Sequence, residues 1–215
     1  YVLNNDTSEG PHNITISNVT YAYVDIGGNH LHSTTRTYDV LCQYGHYCTK
    51  GEQIQCPLGT YGDRLGLQTA KCTDTCVAGE YCPPGSVTPT ICEKGYYCPD
   101  GKVRVPCPEG TYGKIKGLKD SACSGKCLPG YYCPRGSFNN TQEQCAAGRY
   151  GQIAGLKDAY CSGPCEAGYY CPATSTSSRQ VPCGGVNGTT PFNVYCPVGS
   201  GEPRPVLLGY YSTEG

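Results

Sequence analysis

One short element, Cys-x2-Gly-x-Tyr, occurs eight times in this chain, beginning at Cys42, Cys56, Cys76, Cys92, Cys107, Cys127, Cys145 and Cys165. It has two versions. In the short one a second cysteine follows the tyrosine at once, as in "CLPGYYC" and "CEAGYYC". In the long one Gly and a loop intervene, as in "CPLGTYGDRLGLQTAKC", "CPEGTYGKIKGLKDSAC" and "CAAGRYGQIAGLKDAYC". The stretches Cys107–Cys133 and Cys145–Cys171 agree at 17 of 27 positions, so the repetition is of sequence and not of composition alone. The versions alternate, except that two short ones adjoin at Cys76 and Cys92.

Such a chain has little with which to build an oily interior. Leu, Ile, Val and Phe together make 33 of its 215 residues, below the ~20% under which disorder is expected when net charge is also high. The formal charge is only -1, so disorder is not the expectation. Eighteen cysteines take the place of the missing aliphatics, with 20 tyrosines against two phenylalanines. A tyrosine ring covers sulfur while its hydroxyl stays wet, which suits a thin structure.

Three chemistries compete for the cysteines. Structural zinc calls for Cys-x2-Cys knuckles, and none exists; the intervals are Cys-x3-Cys, Cys-x5-Cys and Cys-x15-Cys, and the four histidines do not recur with the repeat. A catalytic thiol would stand apart beside a histidine, whereas every cysteine here belongs to a series. Disulfides remain, and with them an oxidising compartment. The simplest connectivity joins neighbours in sequence: Cys42 with Cys48, Cys56 with Cys72, Cys76 with Cys82, Cys92 with Cys98, Cys107 with Cys123, Cys127 with Cys133, Cys145 with Cys161, Cys165 with Cys171, and Cys183 with Cys196. Interlocked schemes joining adjacent elements stay open, because spacing alone does not fix pairing.

Glycine at the element's third interval accepts the positive φ of a tight reversal. In the long version Gly66-Leu67, Gly117-Leu118 and Gly155-Leu156 place one aliphatic plug each, and "KDSAC" and "KDAYC" read as a single helical turn. The expected fold class is therefore small, disulfide-rich and mostly β. Its elongated tandem repeats touch only their neighbours, and an N-terminal β-hairpin region precedes them. Residues 1–41 form that cysteine-free region, 42–199 the repeats, and 200–215 an extended C-terminal strand. The hairpin is read from the β-branched and Tyr-rich run around Ile14–Ile26, a turn at Gly27-Gly28-Asn29, and a second extended run from Leu31.

The pattern Cys-Pro-x-Gly-Thr-Tyr-Gly, then Gly-Leu, Cys-x3-Cys and Gly-Tyr-Tyr-Cys-Pro-x-Gly-Ser resembles the cysteine-rich repeat called tyrosine-kinase ephrin A/B receptor-like, found in large extracellular proteins of algae and other protists. The resemblance covers roughly Cys42 to Gly199 and implies secretion, disulfides and an elongated module, with no kinase. The Cys183–Cys196 unit departs from it, since "CGGVNGTTPFNVYC" lacks the Gly-x-Tyr spacing.

Five Asn-x-Thr sequons, at Asn5, Asn13, Asn18, Asn139 and Asn187, point to the secretory pathway and to N-linked glycans. The near-neutral charge speaks against a nucleic-acid partner, and no apolar run is long enough to span a membrane. The chain starts at Tyr1 without Met, as a processed chain or a fragment would. No nucleophile–His–acid set or phosphate loop is visible, so no catalytic residue, cofactor or metal site is assigned and no enzyme is expected. The functional expectation is a structural subunit of an extracellular, cell-surface glycoprotein fibre or appendage. It would polymerise with other copies of itself, head to tail, by strand complementation between its ends. The contact would use Tyr1, Val2, Leu3, Ile14, Ile16, Tyr21 and Tyr23 at one end, and Val206, Leu207, Leu208, Tyr210 and Tyr211 at the other. The competing expectation is a Cys-rich receptor or adhesion ectodomain presenting a loop such as "PPGSVTPT" or "PATSTSSRQ" to a ligand.

Overall fold

The computed structural model describes residues 15–24, 30–184 and 193–210, with side chains for 40–184 and 193–210. The Gly27-Gly28-Asn29 turn lies outside them. All regular structure in the described residues is β, and no helix occurs among them. The chain divides into two compact units, Tyr1–Thr90 with Asp100–Val103, and Ile91–Pro99 with Arg104–Gly215. The division falls in sequence where the two short elements adjoin.

Strands β1 (Thr15–Val24) and β2 (His30–Asp39) pair antiparallel from Thr15 opposite Asp39 to Val24 opposite His30, with register shifts between Ile16 and Val19 and between Ala22 and Val24. This is the expected N-terminal hairpin. A second hairpin follows, β3 (His46–Thr49) with β4 (Glu52–Gln55). Its two-residue tip, Lys50 at φ 51° and Gly51 at φ 79°, has both residues left-handed, as a type I′ turn requires. Beyond Gln55 the strands shrink to two-residue pairs, such as Tyr131–Tyr132 with Glu143–Gln144. Strands that short contribute little by themselves. What organises each unit is a backbone ladder from one element to the next.

In the first unit, the Cys56 amide donates to the Gly45 carbonyl at 2.8 Å, the Gly45 amide to Gly62 at 2.7 Å, and the Gly66 amide to the Cys42 carbonyl at 2.8 Å. Cys76, Gly59 and Gly85 make the next rung, with Gly59, Cys82 and Cys56 as acceptors at 2.8–2.9 Å. In the second unit the rule is the same. The Cys107, Cys127, Cys145, Cys165 and Cys183 amides donate to the turn-glycine carbonyls of Gly95, Gly110, Gly130, Gly148 and Gly168. Gly95, Gly110, Gly130 and Gly148 in turn donate to the residue six positions beyond the next element's first cysteine, Gly113, Cys133, Gly151 and Cys171, and in the departing last unit Gly168 donates to Cys196, thirteen beyond Cys183. Within each unit an element is thus clasped by the one that follows it, as in a repeat protein.

Close stacking explains the glycines. A Cβ on Gly45, Gly95, Gly110, Gly130 or Gly148 would run into a carbonyl oxygen of the element after next. At Gly62, Gly113 and Gly151, none of which needs a positive φ, a Cβ would fall 2.9 Å from the sulfur of the element's own first cysteine. It would also fall 2.8–3.0 Å from the Cδ1 of Leu67, Leu118 or Leu156. The leucine of the Gly-Leu pair therefore lies against this glycine. Leu156 is buried, while Leu67 and Leu118 are half-buried.

All eighteen cysteines are joined, in the nine neighbouring pairs from Cys42–Cys48 to Cys183–Cys196, and none is free. Apart from Leu156, every buried apolar residue of the described side chains is a cysteine, most of them fully enclosed. The paired tyrosines beside them, such as Tyr131–Tyr132 and Tyr169–Tyr170, are half-buried.

Two expectations are corrected. The "KDSAC" and "KDAYC" segments form capped turns and not a helical turn. The Cys123 and Cys161 amides donate to the Asp120 and Asp158 carbonyls at 3.1 Å, and the aspartate Oδ1 atoms accept from Ala122 and Tyr160 at 2.9 Å. The cysteine closing each turn has φ 53° or 52°, which ends any right-handed run. Cys72 repeats this at φ 52°. The following Thr73, Ser124 and Ser162 then donate their amides to the carbonyls of Tyr61, Tyr112 and Tyr150, closing all three long loops alike. The second correction concerns residues 200–210. Only Arg204–Pro205 is strand, paired with Val194–Tyr195, and the chain then turns at Leu207–Tyr210.

Candidate assembly surfaces and modification sites

The C-terminal turn is a repeat element without sulfur. "VLLGYYS" (206–212) aligns with "CLPGYYC" (127–133) and "CEAGYYC" (165–171), with Val206 and Ser212 where the cysteines stand. The backbone follows the sequence. The Val206 amide donates to the Asn193 carbonyl at 2.6 Å, the place a first cysteine's amide takes on the preceding turn. The Tyr210 amide donates to Leu207 at 3.1 Å, as Tyr131 does to Leu128 and Tyr169 to Glu166, both at 3.2 Å. Gly209 has φ 88°, against 81° at both Gly130 and Gly168. The Val194–Tyr195 pair with Arg204–Pro205 matches Tyr169–Tyr170 with Val181–Pro182.

This last element is uncovered. Leu207, Leu208 and Tyr210 are 71%, 100% and 75% exposed, and Val206 is half-buried. A Cβ on Gly209 would meet nothing within 4 Å, in contrast to the crowded turn glycines upstream. At the other end, Gly51 is also open, while Leu41 and Tyr44 are exposed. Of the remaining expected contact residues, Ile16, Tyr21 and Tyr23 lie on β1. Tyr1, Val2, Leu3, Ile14 and Tyr211 fall outside the described residues. Cysteine landmarks concealed the sulfur-free element from the sequence reading; the pattern Val-x2-Gly-x-Tyr was the signal that would have found it.

Of the sequons, Asn139 is exposed, and its Oδ1 accepts from the amide and the hydroxyl of Thr141, both at 3.3 Å. Asn18 lies on β1. Asn5, Asn13 and Asn187 are outside the described residues.

One charged cluster ties down the loop after Cys171. Glu166 accepts from the Ser178 hydroxyl and from Arg179 Nε, each at 2.7 Å, and Arg179 lies 5.8 Å from the Tyr169 ring centre. The Ser178 hydrogen bond first, and Arg179 second, hold the Glu166 carboxyl below its ordinary value. All three groups have partners within the loop, so the cluster reads as a brace. Among the described residues no group of three or more His, Cys, Asp or Glu is placed to hold a metal ion, and the thiolates that zinc would need are consumed in disulfides. No helix among them is long and apolar enough to cross a membrane.

Comparison of the chain with protein-family models and with curated proteins returns no match.

Proposed function

We propose that the chain is a structural subunit of an extracellular glycoprotein fibre or surface appendage, joined head to tail to further copies of itself. The observation that carries this reading is the ladder. Within each unit an element offers the same backbone groups to its successor, and the last described element, Val206–Tyr210, offers them with no described residue opposite. A heterologous contact of that kind repeats without closing unless a rotation brings it back on itself.

Supporting features are chemical. Nine disulfides fit an oxidising compartment such as the exterior of a cell. The exposed Asn139 sequon fits a glycan-bearing surface. The Cys-Pro-x-Gly-Thr-Tyr-Gly motifs fit the ephrin A/B receptor-like repeat that they resemble. The test is self-association of the secreted, purified chain, followed by sedimentation and by electron microscopy as concentration rises. Open-ended particles of uniform width support the reading. A monomer at every concentration that instead binds a heterologous ligand saturably would replace it with the receptor-ectodomain reading. Enzymatic deglycosylation with mass measurement reports whether Asn139 and the other sequons carry glycans.

A further inference from the structure

The ladder specifies what the open element would receive. At every complete rung outside the departing Cys183 unit, which spaces them wider, the following element supplies three groups. The amide of its first cysteine meets the turn-glycine carbonyl. The carbonyl six residues on meets the turn-glycine amide. An amide nine or ten residues on meets the carbonyl of the preceding element's first cysteine, as Thr174 does for Cys145 and Gly136 for Cys107. The peptide carbonyl of that last residue also lies over the turn glycine one element further back, where no side chain stands: Gly136 over Gly95, Thr174 over Gly130, Gly199 over Gly148.

At Val206–Tyr210 the corresponding groups are the Gly209 carbonyl, the Gly209 amide and the Val206 carbonyl. None has a backbone partner among the described residues. The first element of the chain carries the complementary set. Its first-cysteine amide is Cys42, its carbonyl six residues on is Cys48, and nine residues on stands Gly51, at φ 79°. That matches Gly85, Gly136 and Gly199, which hold φ 77–82° in the same place. Neither the Cys42 amide nor the Gly51 amide donates to a described backbone group. Gly51 is also free of surrounding atoms, as Gly209 is.

We propose that a second copy of this chain seats its Cys42–Gly51 element on the sulfur-free Val206–Tyr210 element, so that the ladder runs from one molecule into the next in unchanged register. This rests on the head-to-tail reading and replaces its terminal strand exchange with a stacked repeat. The absence of sulfur from the receiving element suits the role. Leu207, Leu208 and Tyr210 offer exposed apolar surface to a partner whose Leu41 and Tyr44 are themselves exposed, and burying apolar surface drives association. Backbone bonds set the register, and the side chains provide the affinity.

The test uses two full-length variants. Gly209→Val puts a branched side chain where the carbonyl of the incoming copy's Gly66 belongs, as that of Gly155 lies over Gly110. Gly51→Pro removes the amide that would meet Val206 and forbids the positive φ. Wild type should form oligomers that lengthen with concentration, and each variant alone should sediment as a monomer. An equal mixture should stop at dimers, because one intact head and one intact tail remain. That dimer also certifies that both variants are folded at their unaltered ends. A second check is Val206→Cys with Ser212→Cys, which should close a tenth disulfide within one chain, read as an unchanged free-thiol count of zero and a monomeric mass after denaturation. Free thiols at those positions, or bonds between chains, would overturn the assignment of a repeat element. Should both single variants polymerise like wild type, or should removal of residues 1–20 alone abolish assembly, the stacked contact is wrong while head-to-tail assembly stands. A wild-type chain that stays monomeric overturns both.

Discussion

Gly130 and Gly136 make a matched pair for measuring what the ladder contributes. Their φ angles are 81° and 82°, so alanine at either position carries the same backbone strain, about 1–2 kcal/mol for a left-handed L-residue. Their surroundings differ. A Cβ on Gly136 would find its nearest neighbour, Pro106 Cβ, at an ordinary 3.7 Å, whereas on Gly130 it would strike the Thr174 carbonyl oxygen. That carbonyl has little freedom to retreat. The Thr174 amide is bonded to Cys145 at 3.0 Å, the next carbonyl, of Ser175, accepts from Gly151 at 2.8 Å, and Gly130 itself donates to Gly151 at 2.8 Å. Moving it aside weakens two or three of these bonds, at about 1 kcal/mol each. Gly136→Ala should then cost about 1–2 kcal/mol and Gly130→Ala about 3–5 kcal/mol, the excess being the ladder term. Amide exchange followed by mass spectrometry, with disulfides intact, reads both. Gly130→Ala should speed exchange at Gly151 and Thr174, while Gly136→Ala should leave those amides protected. Equal destabilisation by the two variants would refute the claim that stacking, and not turn geometry alone, demands glycine.

The remaining predictions follow from the same structure. Thr174 occupies the place of Gly136 at φ 65°, strain that a β-branched residue bears poorly, so Thr174→Gly should raise stability by about 1 kcal/mol; an unchanged or lower denaturation midpoint would count against this. Leu156→Ala should cost about 2–3 kcal/mol for a buried leucine, whereas Ile153→Ala, at a side chain 62% exposed, should stay within about 0.5 kcal/mol. The Glu166 carboxyl should titrate below its reference value of 4.5 because Ser178 and Arg179 bond its charged form. Its brace on the loop is therefore present above that value and is lost as pH falls through the lowered one. A carbon-detected titration with a midpoint at or above 4.5 would contradict it, and Arg179→Gln should move the midpoint upward.

Much of this fold could be read from the chain because its determinants are local. The simplest of the open pairings, each cysteine with its neighbour in sequence, is the one the structure has, and the turn glycines of the element mark where the chain reverses. The β-branched and Tyr-rich runs on either side of Gly27-Gly28 gave the N-terminal hairpin. Two things escaped for physical reasons. Lys-Asp-x-x-Cys reads as a helix start, yet the closing cysteine has a positive φ and is joined to a partner sixteen residues back, which no local propensity contains. The Val206 element escaped because it carries no sulfur, whereas the backbone repeats through the turn glycine and the amide that meets the preceding turn's carbonyl. The ladder itself was not legible at all, since a carbonyl passing over Gly130 leaves no mark on residue type except the glycine.

Every disulfide here closes a short loop, with partners 6, 13 or 16 residues apart. A pull applied at the two ends of such a molecule bypasses the residues inside each closed loop, because force passes through sulfur from one cysteine to its neighbour. Between Cys42 and Cys196 only the linking segments, of 3 to 11 residues, can be drawn out, and the 82 residues inside the loops stay slack even after the hydrogen bonds have failed. The chain would behave as a cord that stiffens early and recovers its length when released, until a reductant cuts the sulfur bonds and lets the hidden slack run free.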